Sequence, residues 1–252
     1  MMKRMLVGTL AVALALIGTG CNSSSNNTTL ERPTVTPLAV NDGGTLRLSW
    51  EAVTGATGYE ITAGDSVYTT TSTSFDVTTP VTTIKVRSVK GSTKSDSATT
   101  INCGIVEDTV EFYGDLDTTH ADGFGFADDG SASGYKLYYT YLGDIDFYAQ
   151  ISQGAMTLIS AGGVNATRRG NAMKEASVGY DAIGIADSLG AYVTSLPIKA
   201  DSSYYLRISG DTSATWDAND HFAKANVVLI DSAKITLKVG YQKVAGIRWL
   251  IK

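Results

Sequence analysis

Cysteine, histidine and charge are all scarce in this chain of 252 residues, and each shortage excludes something. The two cysteines are Cys21 and Cys103. Neither belongs to a Cys-x-x-Cys pair, so no zinc ribbon or dithiol redox motif is present. Charged residues make up 18% of the chain. Lys and Arg are scattered, often on alternate strand positions, with no basic patch. Nucleic acid is excluded as a partner on that ground, because its binding rests on clustered positive charge. The chain has no His-Glu-x-x-His, no phosphate loop, no Arg-Gly-Asp and no EF-hand spacing. Gly130-Ser131-Ala132-Ser133-Gly134 approaches a nucleophile elbow but places alanine where the serine must stand. The inventory predicts no catalysis. Long helical periodicity is also missing; Met173–Val178 is read as at most a single helical turn.

What the sequence does have is glycine, serine, threonine and period-two alternation. Hydrophobic residues reach 43%, enough for a packed core. Alternation of apolar and polar residues means strands with one buried face and one wet face. The expected fold class is therefore all-β, and the length suits two domains.

The N-terminus reads as an address. Lys3 and Arg4 precede an apolar run from Leu6 to Ile17, too short to span a bilayer comfortably. Small residues and Cys21 follow. The segment resembles a bacterial lipoprotein signal, which implies cleavage after residue 20, lipidation of Cys21 and attachment to a membrane through the lipid. It departs from the family at Gly18, where leucine is preferred. Removing residues 1–20, with Lys3 and Arg4, takes the net charge from −5 to −7. Residues 21–32 include Asn-Ser-Ser-Ser-Asn-Asn-Thr-Thr, a polar stretch that buries too little to fold and reads as a flexible tether. Asn22 after the cysteine implies delivery to the outer membrane or cell surface in a two-membrane bacterium.

In residues 33–101, Leu46, Leu48 and Trp50 fall on alternate positions, as do Ile84 and Val86. The string from Leu48 to Ile61, LSWEAVTGATGYEI, resembles the B–C signature of fibronectin type III domains. Thr73–Val77, Ile84–Val89 and Ser95–Thr99 are similar to that family's E, F and G strands. The resemblance implies a β-sandwich with Trp50 and Tyr59 in its core. Ile84 stands where the family usually has a tyrosine.

Residues 105–252 are expected to form a second antiparallel β-sandwich. Tyr135, Leu137, Tyr139 and Tyr141 alternate with polar neighbours, and Tyr204–Ile208 reads as a strand. Asn226–Ile230 and Lys234–Tyr241 read as a hairpin about Asp231-Ser232-Ala233. Ile247, Trp249 and Ile251 alternate with Arg248, Leu250 and Lys252, so a terminal strand is expected there. Phe222–Gln242 is weakly similar to the closing hairpin of HmuY-like surface lipoproteins, which capture haem; the likeness carries no ligand motif.

Three sets of residues are candidates for binding. Asp115 with Asp117, and Asp144 with Asp146, form Asp-x-Asp pairs whose carboxylates share a strand face and could hold Ca²⁺, which wants six to eight oxygens. His120 and His221 could together ligate a haem iron or a transition metal. Phe124, Phe126 and Trp216 could stack on a sugar ring. No cofactor is required by any motif, Ca²⁺ being the one ion considered. The function expected is a non-catalytic, lipid-anchored envelope protein that binds a glycan or a surface protein through its second domain. The rival expectations are a haem-type capture protein and a structural envelope component.

Overall fold

A computed structural model describes residues 29–114, 119–135, 145–152, 155–163, 169–187, 190–212 and 217–252. Its described elements are antiparallel strands and two short 3₁₀ turns, so the chain is all-β.

The first sandwich is built from β1 (Val35–Val40), β2 (Thr45–Trp50), β3 (Gly58–Ala63), β4 (Ser66–Thr70), β5 (Ser74–Val77), β6 (Thr83–Lys90), β7 (Thr93–Lys94) and β8 (Thr99–Asn102). One sheet has the order β1-β2-β5; the other runs β4-β3-β6, with β7 and β8 both pairing β6. Alternation sends Leu46, Leu48 and Trp50 from one sheet, and Tyr59, Ile61, Ile84 and Val86 from the other, into a shared core. Trp50 and Tyr59 meet edge to face at 5.0 Å, and the Tyr59 hydroxyl accepts the Val53 N–H at 3.0 Å. Ile84 is fully buried.

The final strand of this sandwich differs from expectation. Ser95–Thr99 is largely a break between β7 and β8. Local bonds take the backbone off the ladder: Ser95 Oγ donates to Ser97 O at 2.8 Å, and Arg87 Nη1 donates to Ser95 O at 2.8 Å.

The second sandwich contains β9 (Val106–Tyr113), β10 (Gly123–Phe126), β11 (Ala132–Tyr135), β12 (Phe147–Ser152), β13 (Ala155–Ser160), β14 (Ala172–Glu175), β15 (Ser195–Pro197), β16 (Ser203–Ile208), β17 (His221–Asp231) and β18 (Lys234–Tyr241). Two five-stranded sheets, β11-β10-β12-β13-β15 and β14-β16-β17-β18-β9, pack face to face. Phe112, Phe124, Phe147, Leu158, Leu206, Val227 and Leu237 lie in the core between them. The expected β17–β18 hairpin is present, turning at Ser232-Ala233 with Ser232 at φ +56°. The tyrosine-rich alternation after Tyr135 lies outside the described residues.

Two readings need correction. Residues 172–175 form β14, paired with β16, and not a helical turn; Met173 is drawn into the core, where a strand register serves it. Residues 247–252 are extended but join no sheet. Their single bridge is Ile185 with Trp249. Ile247 and Trp249 enter the core of the first sandwich, while Leu250 packs with Ile183, Ala186, Tyr205 and Phe222 on the outer face of the second. A flat ladder cannot serve cores on two sides, so the segment runs between them.

Candidate functional site

The chemistry-bearing residues of the second sandwich gather at the end of β18 that faces the first sandwich. The register of β17 and β18 sets Tyr241 opposite Ala223, with His221 two residues upstream. The Tyr241 ring stacks on Phe126 at 4.9 Å and on His221 at 5.2 Å. His221 Nδ1 lies 2.9 Å from Gln242 O. A carbonyl can only accept, so Nδ1 carries the hydrogen in this contact.

Asp146 holds this end together from beneath. It precedes β12 and is buried. Its Oδ2 accepts the Phe126 N–H at 2.9 Å, and its Oδ1 accepts Asn171 Nδ2 at 2.8 Å. The half-exposed Arg169 guanidinium lies 3.5 Å from Oδ1. Asn171 in turn accepts the Ser209 N–H at 2.8 Å. Burial raises the Asp146 carboxyl above its ordinary pKa, against the pull of the Phe126 N–H, Arg169 and Asn171. Burial likewise raises the Tyr241 hydroxyl, with Asp146 adding to the effect.

A buried ion pair stands on the neighbouring strand. Arg207 of β16 donates from Nε to Asp220 Oδ2 at 2.8 Å, and Asp220 also accepts the N–H groups of Gly210 and Asp217. Burial raises the Asp220 carboxyl even so, with Arg207 opposing. These bonds fasten the connection from β16 to β17.

A second cluster lies on the outer face of the same sheet. Lys224 of β17 is almost fully buried, and its ammonium donates to Tyr180 O at 3.1 Å and Ile183 O at 3.0 Å. The Tyr180 ring sits between two ammonium groups, 4.5 Å from Lys224 Nζ and 4.3 Å from Lys238 Nζ. Gly240 permits this approach, because a Cβ there would lie 2.7 Å from the Tyr180 hydroxyl and 2.5 Å from Ile105. Burial lowers the Lys224 pKa, with Glu107 opposing. The lysine caps the carbonyls of a 3₁₀ turn, Tyr180–Ala182, and pins residues 180–183 to the sheet.

The nominated residues divide sharply. Phe126, Asp146 and His221 come together around Tyr241. Phe124 is wholly buried and Phe126 nearly so, both packed in the core, so neither offers a face to a sugar. Trp216, Asp115, Asp117 and Asp144 lie outside the described residues, as does Cys21. Asp146 is buried with both oxygens engaged by N–H donors, and the other member of its pair, Asp144, lies outside the described residues. Among the described residues no group of three or more His, Cys, Asp or Glu is placed to hold a metal ion.

The two histidines are far apart. His120 is exposed and stacks on Tyr113 at 4.3 Å; Tyr113 pairs with Lys234, at the start of β18. His221 stacks on Tyr241, at its end. Seven residue steps of strand separate the two ends, roughly 24 Å at about 3.4 Å per residue. A shared iron or other metal is therefore ruled out.

Sequence reasoning missed Tyr241, Arg169, Asn171 and the Arg207–Asp220 pair. Two signals were available: Arg207 and Lys224 are lone charges inside the apolar runs Tyr-Tyr-Leu-Arg-Ile and Phe-Ala-Lys-Ala-Asn. A charge in such a run needs an internal partner.

No family profile and no curated protein matches this chain. Among solved structures it is similar to a DUF4466 family protein from Parabacteroides merdae, at 8% identity and a TM-score of 0.41, over 84% of this chain and 99% of that one.

Proposed function

We propose that this chain is a non-catalytic, lipid-anchored protein of the cell envelope, and that its second sandwich binds a glycan or a surface protein. The observation that carries the reading is the state of the polar groups at the Tyr241 end. The buried carboxylates of Asp146 and Asp220 are held by donors that fix loops, which leaves them poorly placed as a general acid or base. Arg169 is exposed and His221 partly so, and both could meet a ligand beside the Phe126–Tyr241–His221 stack. A guanidinium and an imidazole on a rigid aromatic base suit the hydroxyls and carboxylates of an acidic sugar or peptide. The separation of the two histidines speaks against haem held by both.

The first sandwich is read as a fibronectin type III module. Its strand order, and the placing of Trp50 and Tyr59, support that reading. Membrane attachment rests on the signal-like segment, Cys21 and the polar tether, with the outer membrane or cell surface as the expected location. A Cys21→Ser exchange is expected to shift the protein from the membrane to the soluble fraction. Retention on the membrane would refute the anchor.

The binding reading is tested with the soluble Cys21→Ser chain on an array of acidic and neutral glycans, with Arg169→Ala and His221→Ala as controls. Binding that both variants abolish supports the site. Binding that survives both moves it elsewhere, and no binding favours a structural envelope component.

A further inference from the structure

The strongest unexplained feature is the segment after β18. It lies outside every sheet, yet it holds two wholly buried side chains, one of them, Trp249, among the largest in the protein. Ile247 and Trp249 are wholly buried in the core of the first sandwich, together with Leu46, Leu48, Ile84, Val86 and Cys103. The Trp249 indole donates to Gly44 O at 3.2 Å, and the Arg248 N–H to Gly43 O at 2.9 Å. Both acceptors belong to the β1–β2 turn. On the other side, the Leu250 N–H donates to Gly184 O at 2.9 Å, and the Ala186 N–H to Arg248 O at 2.7 Å. The Arg248 side chain donates to Asp42 O from Nε and to Ala186 O from Nη1, touching both sandwiches. Gln242, fully buried, donates to Cys103 O at 2.8 Å and to Trp249 O at 2.7 Å. Gly246, at φ +74°, makes the turn that starts the segment; a Cβ there would meet Ala39 and Ala218.

We infer that residues 247–250 are a strap that completes the core of the first sandwich and binds it to the second, so that the two fold and open as one body. The first sandwich therefore stays incomplete until residue 249 has been made, some 150 residues after its own last strand, β8. A fibronectin-type module is ordinarily an independent bead. This one is joined to its neighbour through its core, so the second sandwich is held at a fixed angle and does not swing on a linker. The inference does not depend on what the second sandwich binds.

Cys103 supplies the test. It is buried in the shared core, and burial pushes its thiol up to about 11, so labelling requires opening. In the full chain carrying Cys21→Ser it is the only thiol. The labelling rate with a thiol reagent is followed against urea, beside the hydrogen exchange of the β17–β18 ladder amides, which reads the second sandwich. The strap requires that Cys103 be labelled only through the opening that also unfolds the second sandwich. It further requires that Trp249→Ala speed labelling at least about 100-fold, the order expected for emptying a large core site. It requires too that labelling in that variant no longer follow the second sandwich. Labelling of the unaltered strap by a urea-independent opening far faster than unfolding would overturn the inference. So would a Trp249→Ala rate within about threefold of the parent. If Trp249→Ala does not fold, Arg248→Ala replaces it. That variant removes only the side-chain bonds to Asp42 and Ala186 and is expected to speed labelling severalfold; an unchanged rate would count against the strap.

Discussion

The two sandwiches solve the same packing problem with different materials. The first buries apolar side chains and a few hydroxyls; its charged pairs, Arg47 with Asp76 and Lys94 with Glu60, lie at the surface. The second buries Asp146, Arg207, Asp220, Lys224, Asn171 and Gln242. The difference follows from the connections. Short connections join the strands of the first sandwich, with local bonds such as Gly44 N–H to Asn41 O and Ala56 N–H to Val53 O. The second has longer connections between β13 and β14, β14 and β15, and β16 and β17, and their described residues lie outside its named strands. Buried loop backbone needs partners. A carboxylate can accept several N–H groups and an ammonium can serve two carbonyls, so the buried charges act as pins.

That comparison can be broken most severely at the Arg207–Asp220 pair. Asp220→Ala takes the carboxylate away from the buried Arg207 guanidinium and from the Gly210 and Asp217 N–H groups, and is expected to cost about 3–5 kcal/mol in a chemical-denaturation measurement. Asp146→Ala frees the Phe126 N–H and removes one of the two bonds from the Asn171 amide to residue 146, with a loss of about 1–3 kcal/mol. Lys224→Met removes the ammonium that donates to Tyr180 O and Ile183 O, leaving Tyr180 O its bond from the Ile183 N–H. A similar cost of about 1–3 kcal/mol is expected, with faster hydrogen exchange confined at first to residues 180–186. In the first sandwich, Arg47→Ala removes only an exposed pair, and at physiological salt it should shift the melting curve least of the four.

Acid sharpens the same contrast. The hydrogen bond from Arg47 holds Asp76 below the ordinary carboxylate range, and the bond from Lys252 does the same for Asp181. Their stabilisation is present above the unfolded pKa, about 4, and is lost as pH falls through the folded values. Asp146 and Asp220 are raised, so their contribution is complete below about pH 4 and is lost as pH rises through the folded values. Stability is therefore expected to rise modestly from neutral pH toward about pH 4 and fall below it. Asp76→Asn should flatten the acid fall. A fall beginning well above pH 5 would contradict the assignment.

Much of the fold was legible because strands report themselves by alternation. Leu46-Arg47-Leu48-Ser49-Trp50 and Lys234-Ile235-Thr236-Leu237 each point one face inward, and both are strands. The strap was not legible: Ile247, Trp249 and Ile251 alternate like a strand, but alternation cannot say which of two cores is filled. The site was legible only in part. Asp146 and His221 were found as residue types, but their partners Asn171, Arg169 and Tyr241 come from other strands and loops. Only the pairing of β17 with β18, and of β10 with β12, brings them together. Phe124 and Phe126 were misread because an aromatic in a glycine-rich strand looks the same whether it faces solvent or core.

The central claim is that two sandwiches built so differently share one cooperative unit. Native-state hydrogen exchange of the full chain tests it most directly, comparing the ladder amides of β6 in the first core with those of β18 in the second. The account predicts one common opening free energy for the slowest amides of both, falling with denaturant at the same slope. A first-sandwich core that opens at a distinctly lower free energy and a shallower slope would contradict it, and would make that unit an independent bead.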